Sequence, residues 1–417
     1  MSLDLDRIRA QFPALQRDAI FLDNPGGTQV AQACIDRTTE YYVEHNSNRG
    51  GAFATSRESD RVIENARQAM ADMLGADRRQ EIVFGPNMTS LTLSLSRSIA
   101  ETLTEGGNIV VTRLDHDANI SPWLHVAEAK GCQIHWVDFD VETGMLNLDS
   151  FEKALEYKPK LVAFGYASNA LGTINPVKEM VDMAHAAGAL VFIDAVQYAP
   201  HGPLDVQEIG CDFLACSPYK FFGPHLGVLY GRYDLLESLN AYKVRPAPKL
   251  PPGKFETGTQ NHEGIAGLLG ALEYLQWLGQ EFGGGYADEF NGKHKERSLE
   301  LRQGLAVIRE YEYELSRALM DVFHSVPGLQ LHGPTNEKER VPTFSFTLEG
   351  WRPRKLAEAL GEKDIFTWNG NYYALAVTER LGLEEQGGML RVGAVHYNTL
   401  DEVETLGETI YKLMVKD

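Results

Sequence analysis

Lys220 lies in the run Cys216-Ser217-Pro218-Tyr219-Lys220-Phe221-Phe222-Gly223-Pro224, between the apolar stretches Asp212-Phe213-Leu214-Ala215-Cys216 and Leu226-Gly227-Val228-Leu229-Tyr230. Lysine is almost never fully buried unless paired. An amine held between two apolar strands has a depressed pKa, the condition for attack on a carbonyl and formation of a Schiff base. Upstream, Leu190-Val191-Phe192-Ile193-Asp194 reads as a buried strand that ends in a carboxylate. A lysine for an aldehyde and an acid for a pyridinium nitrogen are the two parts that a pyridoxal phosphate site needs. The alternative for Lys220 taken alone is a side chain snorkelling from a sheet edge.

Other polar residues fall where a phosphate-bearing aromatic cofactor would meet them. Gly85-Pro86-Asn87-Met88-Thr89-Ser90 follows a strand and opens a helix predicted over 91–102. Its backbone N–H groups and hydroxyls offer an anion site, although the same pattern also makes an ordinary helix cap. His116 follows the predicted strand Asn108–Thr112, and an imidazole there would lie flat on a pyridine ring. A metal reading of Asp115, His116, Asp117 and His125 lacks the spacing of any recognised site. Asn169 ends the next strand, and Gln197 leaves the same strand end as Asp194. Each polar residue singly reads as a turn or cap. Their ordered recurrence at successive strand ends is not explained that way.

The elements that must position these residues are legible as alternation. From about residue 80 to 230, short apolar runs alternate with helical patterns, the mark of a parallel α/β sheet. Strands are predicted over 81–84, 108–112, 133–137, 161–164, 190–194, 212–216 and 226–230, with a helix over 177–187 closed by Gly188. Ligands of such sheets sit at the C-terminal strand ends. Beyond Thr259 the spacing predicts a long amphipathic helix over 264–282, a break at Gly283-Gly284-Gly285, and a charged helix over 291–326. An α+β lobe follows, with strands over 342–348 and 389–395 and helices over 353–360 and 400–415. A chain of 417 residues exceeds what one core usually serves. The expected division is a large domain over 22–283 and a small one over 284–417, with the first 21 residues packed on the second.

Composition excludes some function classes. Hydrophobic content of 43% and charged content of 23% are ordinary for a globular protein, and the net charge of −19 disfavours nucleic acid and anionic membranes as partners. The four cysteines (Cys34, Cys132, Cys211, Cys216) form no C-x-x-C motif, which fits a reduced setting. No apolar leader region and no stretch of membrane-spanning length is present, so a cytoplasmic enzyme is the expectation.

Asp194-Ala195-Val196-Gln197 followed by Ser217-Pro218-Tyr219-Lys220 and Gly223-Pro224 resembles the class V aminotransferase group of fold-type I pyridoxal phosphate enzymes, in particular its cysteine desulfurase and selenocysteine lyase branch. The resemblance runs nearly end to end. It takes in Phe21-Leu22-Asp23-Asn24, Asn48-Arg49-Gly50, the run from His116 to Trp123, the run from Ser168 to Pro176, Gly258-Thr259 and Arg391-Val392-Gly393. It implies a mostly parallel seven-stranded sheet in the large domain, a smaller α+β C-terminal domain, pyridoxal 5'-phosphate as cofactor, an amino-acid substrate and a homodimer. By the same resemblance, Lys220 binds the cofactor aldehyde and shuttles the proton. Asp194 pairs with the ring nitrogen, Gln197 bonds the ring hydroxyl and His116 stacks on the ring. Asn169 lies near the substrate carboxylate or the ring oxygen. Met88, Thr89, Ser217 and Tyr219 serve the cofactor and its phosphate, with Thr259 reaching in from a second subunit. Arg391 clamps the substrate carboxylate with its bidentate fork.

The departures from that pattern direct the functional reading. Desulfurases of this type carry a nucleophilic cysteine on a loop before the last strand, in an Arg-x-Gly-x-x-Cys-like stretch. Here the stretch is Thr367-Trp368-Asn369-Gly370-Asn371-Tyr372-Tyr373-Ala374, with Trp368 in the arginine's place and Tyr373 about where the thiol belongs. No cysteine follows Cys216. A phenol with a pKa of about 10 cannot take sulfur as a persulfide. Tyr219 also replaces a phosphate-side histidine, with a hydroxyl still able to donate. The expectation is a C–S (β-)lyase or an aminotransferase working through Lys220 and charge at Cα. Desulfuration with another thiol, racemisation or epimerisation, and a non-catalytic partner-binding role are the alternatives. Trp368, Tyr372 and Tyr373 either shape a substrate pocket or pack the domain seam.

Overall fold

The structure, a computed structural model, describes residues 3–290 and 292–414. The predicted helix limits at Asn291 and Val415 lie outside the described residues. In chain order the strands are β1 (Ile20–Phe21), β2 (Ile82–Gly85), β3 (Asn108–Thr112), β4 (Gln133–Val137), β5 (Leu161–Gly165), β6 (Leu190–Asp194) and β7 (Phe213–Cys216). They continue with β8 (Gly227–Gly231), β9 (Leu329–His332), β10 (Thr343–Leu348), β11 (Ile365–Phe366), β12 (Trp368–Gly370) and β13 (Met389–Gly393).

The main sheet has the order β2-β8-β7-β6-β5-β3-β4. Strands β4, β3, β5, β6 and β7 run parallel, whereas β8 is antiparallel to both its neighbours. Every residue of β5 and β7 is buried, as expected of strands covered on both faces. Side chains alternate between two cores. Val110, Val162, Val191, Ile193 and Leu214 enter one, with Ile63 and Met70 of the helix Ala54–Leu74 and Leu268 and Leu272 of the helix His262–Phe282. Val111, Ala163, Phe192, Phe213 and Ala215 enter the other, with Leu91 and Leu95 of Met88–Ala100 and Trp123 of Ser121–Lys130. This period of two is the strand pleat expressed as packing.

A second sheet, antiparallel, has the order β12-β13-β10-β9. Its core holds Phe344, Phe346, Leu390 and Val392 against Leu356, Leu360, Leu406 and Ile410. The helix Glu296–Ser325 joins the two regions. Leu301, Leu305 and Ile308 of its first half belong to the main-sheet core, and Leu315, Leu319 and Phe323 of its second half to the smaller one. It packs on His262–Phe282 at backbone distance: a Cβ at Gly279 would stand 1.8 Å from the Glu300 carbonyl oxygen, and one at Gly304 2.2 Å from that of Leu275. The N-terminal segment bridges both regions. Ile8 and Phe12 enter the main-sheet core, while Arg9 bonds the Tyr397 carbonyl at 2.7 Å and Glu402 at 2.9 Å.

At the outer rim of β2 a buried ion pair takes the place of a neighbouring strand. Phe84 N–H donates to Glu256 Oε1 at 2.9 Å, and the Ile82 carbonyl accepts from Arg67 Nη1 at 2.6 Å. Arg67 and Glu256 in turn bond each other at 2.7 Å.

Four strands were not expected: the two-residue β1 and β11, which pair with each other, and β9 and β12. The stretch 367–374, read as a loop, begins with β12, whose three residues lie on a partly exposed edge and so show no apolar alternation. The four residues of β9, Leu-Gln-Leu-His, are too short a run to carry a signal of their own.

Candidate active site

The C-terminal ends of β3, β5, β6 and β7 open on one cavity of about 520 Å³. It is bounded by Met88, Thr89, His116, Asn169, Asp194, Gln197, Ser217, Tyr219, Lys220, Trp368, Tyr373 and Arg391, so twelve sequence-predicted site residues meet there. Thr259 does not border the cavity of its own chain and is exposed.

Lys220 sits in a short turn after β7 and is buried. Its Nζ donates to the Pro25 carbonyl. Burial, followed by the charge of Arg391, lowers its pKa to about 7 against the opposing pull of Asp194 and Asp23. The amine is therefore available as free base near neutrality. Asp194 closes β6, and its Oδ1 accepts from Val196 N–H at 2.9 Å. Burial raises its pKa to about 6, while that N–H and Lys220 favour the ionised form. A cationic ring N–H set against it acts in the same direction.

His116 is held in one tautomer. Its Nδ1 accepts from Ala118 N–H at 3.0 Å, which leaves the proton on Nε2. Burial, then the charges of Lys220 and Arg391, push its pKa down to about 4, so it presents a neutral flat ring. Asp115, the residue before it, is buried in the cavity wall, accepting from the Thr112 hydroxyl and from Asn119 Nδ2 at 3.3 Å. Burial lifts the Asp115 carboxyl to about 8. Gly165 makes room for it, since a Cβ there would stand 2.7 Å from Asp115 Oδ1.

Arg391 enters from the second sheet. Its position on β13 is paired across the strands with Trp368 of β12 and Ser345 of β10, so these side chains share a face. One guanidinium nitrogen bonds the Asn169 carbonyl at 2.8 Å, and Cζ lies 4.3 Å from the Tyr372 ring centre. Burial lowers its pKa to about 10, which leaves it a cation at neutral pH. Asn169 spends its amide nitrogen on the Tyr372 carbonyl at 2.9 Å, and Gln197 spends its own on Thr343 Oγ1 at 3.0 Å. Asn169 Oδ1, Gln197 Oε1 and Arg391 Nε are buried without a protein partner. Opposite them, Asn87 caps the helix Met88–Ala100 through Ser90 N–H at 2.8 Å. The first backbone N–H groups of that helix face the cavity's rim, where a phosphate binds well.

The segment 371–373 was legible only in part. Tyr372 and Tyr373 both have left-handed backbones (φ 56° and 59°). The Tyr372 hydroxyl donates to the Met389 carbonyl, and Asp117 N–H donates to the Tyr373 carbonyl at 2.7 Å. The Tyr373 ring stands over His116, with centres 5.7 Å apart and planes at 21°. Asp117, Ser121 and the Pro25–Gly26 backbone also border the cavity. In the sequence, Asp117 and Ser121 fell within the run from His116 to Trp123 that carries the family resemblance, but neither was given a role there, and Asp117 was otherwise read only as a metal ligand.

A model of aminotransferase class V matches residues 20–290 and 296–406. The chain belongs to the class V aminotransferase family. It is 33% identical to a cysteine desulfurase of Synechococcus elongatus over 99% of its length, although it spans only 64% of that relative. It is 32% identical to the aminotransferase-like protein FGM3 of Gibberella zeae, with 97% of each chain covered. Among solved structures, a cysteine desulfurase of Thermococcus onnurineus superposes with a TM-score of 0.85 at 27% identity, covering 99% of this chain and 98% of that one. The chain is thus a desulfurase-like, pyridoxal 5'-phosphate-dependent enzyme. The donor set fits that cofactor: an amine with lowered pKa, a buried carboxylate, unpartnered amide oxygens and a helix N-terminus surround one cavity. None of the four cysteines borders the cavity. Burial raises the Cys34 thiol to about 12 and pushes those of Cys211 and Cys216 higher still.

Proposed function

We propose that the protein acts at Cα of a free amino acid, as a C–S (β-)lyase or an aminotransferase, and does not store sulfur on a thiol of its own. The observation that carries this is the pairing of the Lys220 amine with Arg391 in a cavity that no cysteine borders. Pyridoxal phosphate, when bound, supplies an aldehyde for amine exchange and a ring that takes up negative charge from Cα. In this reading Arg391 holds the α-carboxylate, a task for a planar fork. Lys220 Nζ removes and returns the Cα proton, for which a value near 7 suits it at working pH. Asp194 holds a negative charge against the ring nitrogen, and neutral His116 offers a flat face. Gln197 and Asn169 orient the ring's edge with their unpartnered oxygens. Thr89, Ser217, Tyr219 and the helix start beside Met88 serve the phosphate. Thr259 completes the site of a second copy in a homodimer, and the setting is the cytoplasm.

An amino-acid panel tests the reading in two ways: release of ammonia and oxo acid marks elimination, and conversion of the cofactor to its amine form marks transfer. Cysteine should release sulfur, if at all, with equal efficiency after Cys34, Cys132, Cys211 and Cys216 are all replaced by alanine or serine. Loss of sulfur release in a folded, cofactor-loaded protein of that kind would return it to thiol-stored desulfuration.

A further inference from the structure

The cavity has a buried floor and a more exposed mouth. Buried at the floor are the Arg391 cation, the Lys220 amine and the carboxyl groups of Asp115 and Asp194. At its mouth stands Asp117, half-buried, with its main-chain N–H on the Tyr373 carbonyl and Oδ2 accepting from the Ser121 hydroxyl at 2.5 Å. Among the described residues Asp117 has no lysine, arginine or histidine within ion-pair distance.

Two partly exposed aromatic rings border the same cavity as that carboxylate. Tyr373 is 75% exposed although it borders the cavity, and Trp368 is 51% exposed on the strand position facing Arg391. Holding Tyr373 there requires a left-handed backbone at two successive non-glycine residues, a conformation that persists only where the surroundings impose it. The imposing contacts are made by the Tyr372 carbonyl, which accepts from Asn169 Nδ2, and by the Tyr373 carbonyl, which accepts from the Asp117 main-chain N–H, so the turn is anchored to the backbone of the residue that carries the carboxylate. A carboxylate and the negative face of an aromatic ring have one ligand class in common, the cation. The net charge of −19 draws the same class of molecule toward the protein.

An amino acid held by Arg391 through its carboxylate, with Cα beside Lys220, sends its side chain away from the floor and toward this mouth. We propose that the substrate side chain ends in a cation, an ammonium, guanidinium or amidinium group, which Asp117 receives between Tyr373 and Trp368. The inference rests on the amino-acid reading above and adds to it the chemistry of the side chain.

The test uses the cofactor-loaded protein and two matched pairs: lysine against norleucine, which lacks only the terminal ammonium, and arginine against its neutral isostere citrulline. Binding is followed by the visible absorption of the cofactor and by calorimetry. The cationic member should bind about ten- to a hundredfold more tightly in at least one pair, the range of a charge-assisted contact. Asp117→Asn should remove most of that preference, and Tyr373→Ala should reduce it, while Arg391→Ala weakens both members of a pair alike. Equal affinity within both pairs in the unmodified protein would overturn the proposal without need of any variant. So would a preference that survives Asp117→Asn. If neutral amino acids perturb the absorption band and cationic ones do not, the side-chain inference alone fails. If no amino acid perturbs it, the amino-acid reading fails as well.

Discussion

Lys220 is an amine whose burial is set against the stability of the fold. Its pKa moves from 10.5 in a free lysine to about 7, chiefly through burial. Between those values the unfolded chain binds the proton more tightly than the folded one, so this group's contribution to stability improves as pH rises from 7 toward 10.5 and is fully unfavourable below 7. Lys220→Met should therefore raise the melting temperature of the cofactor-free protein, and by more at pH 6 than at pH 10. An equal gain at both values would show that the amine is not the titrating group. At this scale the residues brought to the cavity were legible because Lys220, Asp194 and Arg391 interrupt or end apolar runs. The surroundings of Asn169 were not. Its amide nitrogen turned out to serve the Tyr372 carbonyl, a contact that depends on left-handed backbones at tyrosines, where a sequence would call for glycine or asparagine.

At the level of elements, the parallel strands declared themselves through continuous apolar runs. β3, β4 and β6 fall on the residues predicted, and β5, β7 and β8 within a residue or so. Apart from β4, a partly exposed edge strand, they are covered on both faces, which forces near-uniform hydrophobicity. β12 lacks that constraint, as an edge strand whose tryptophan is half in solvent. The close approach of the two long helices was also hidden, since a glycine in a helix signals weakness before it signals contact. Gly279→Ala adds a methyl group where the Glu300 carbonyl already stands. We expect a loss of about 1–3 kcal/mol, the usual cost of overpacking, read as a lower denaturant midpoint at unchanged slope. An unchanged midpoint would mean that the helices slide apart freely.

The whole molecule leaves apolar side chains in solvent well away from the cavity. Val43 is 71% exposed and Phe53 57%, and Thr259 sits exposed on a loop outside its own chain's cavity. Pairing of two copies with Thr259 donated across the interface accounts for both features. Sedimentation should find a dimer, and dilution to monomer should release cofactor; a fully active monomer would contradict it. The ion pair at the rim of β2 bears on a different kind of association. An outermost strand with bare N–H and C=O groups is a template on which a stranger's chain can add itself, the first step toward fibrillar deposits. Arg67 and Glu256 occupy the donor and acceptor positions such a chain would need. Glu256→Ala should therefore shorten the lag before light scattering rises on prolonged incubation below the melting temperature, beyond what its loss of stability explains. A lag that simply tracks the melting temperature would show that the rim needs no guard.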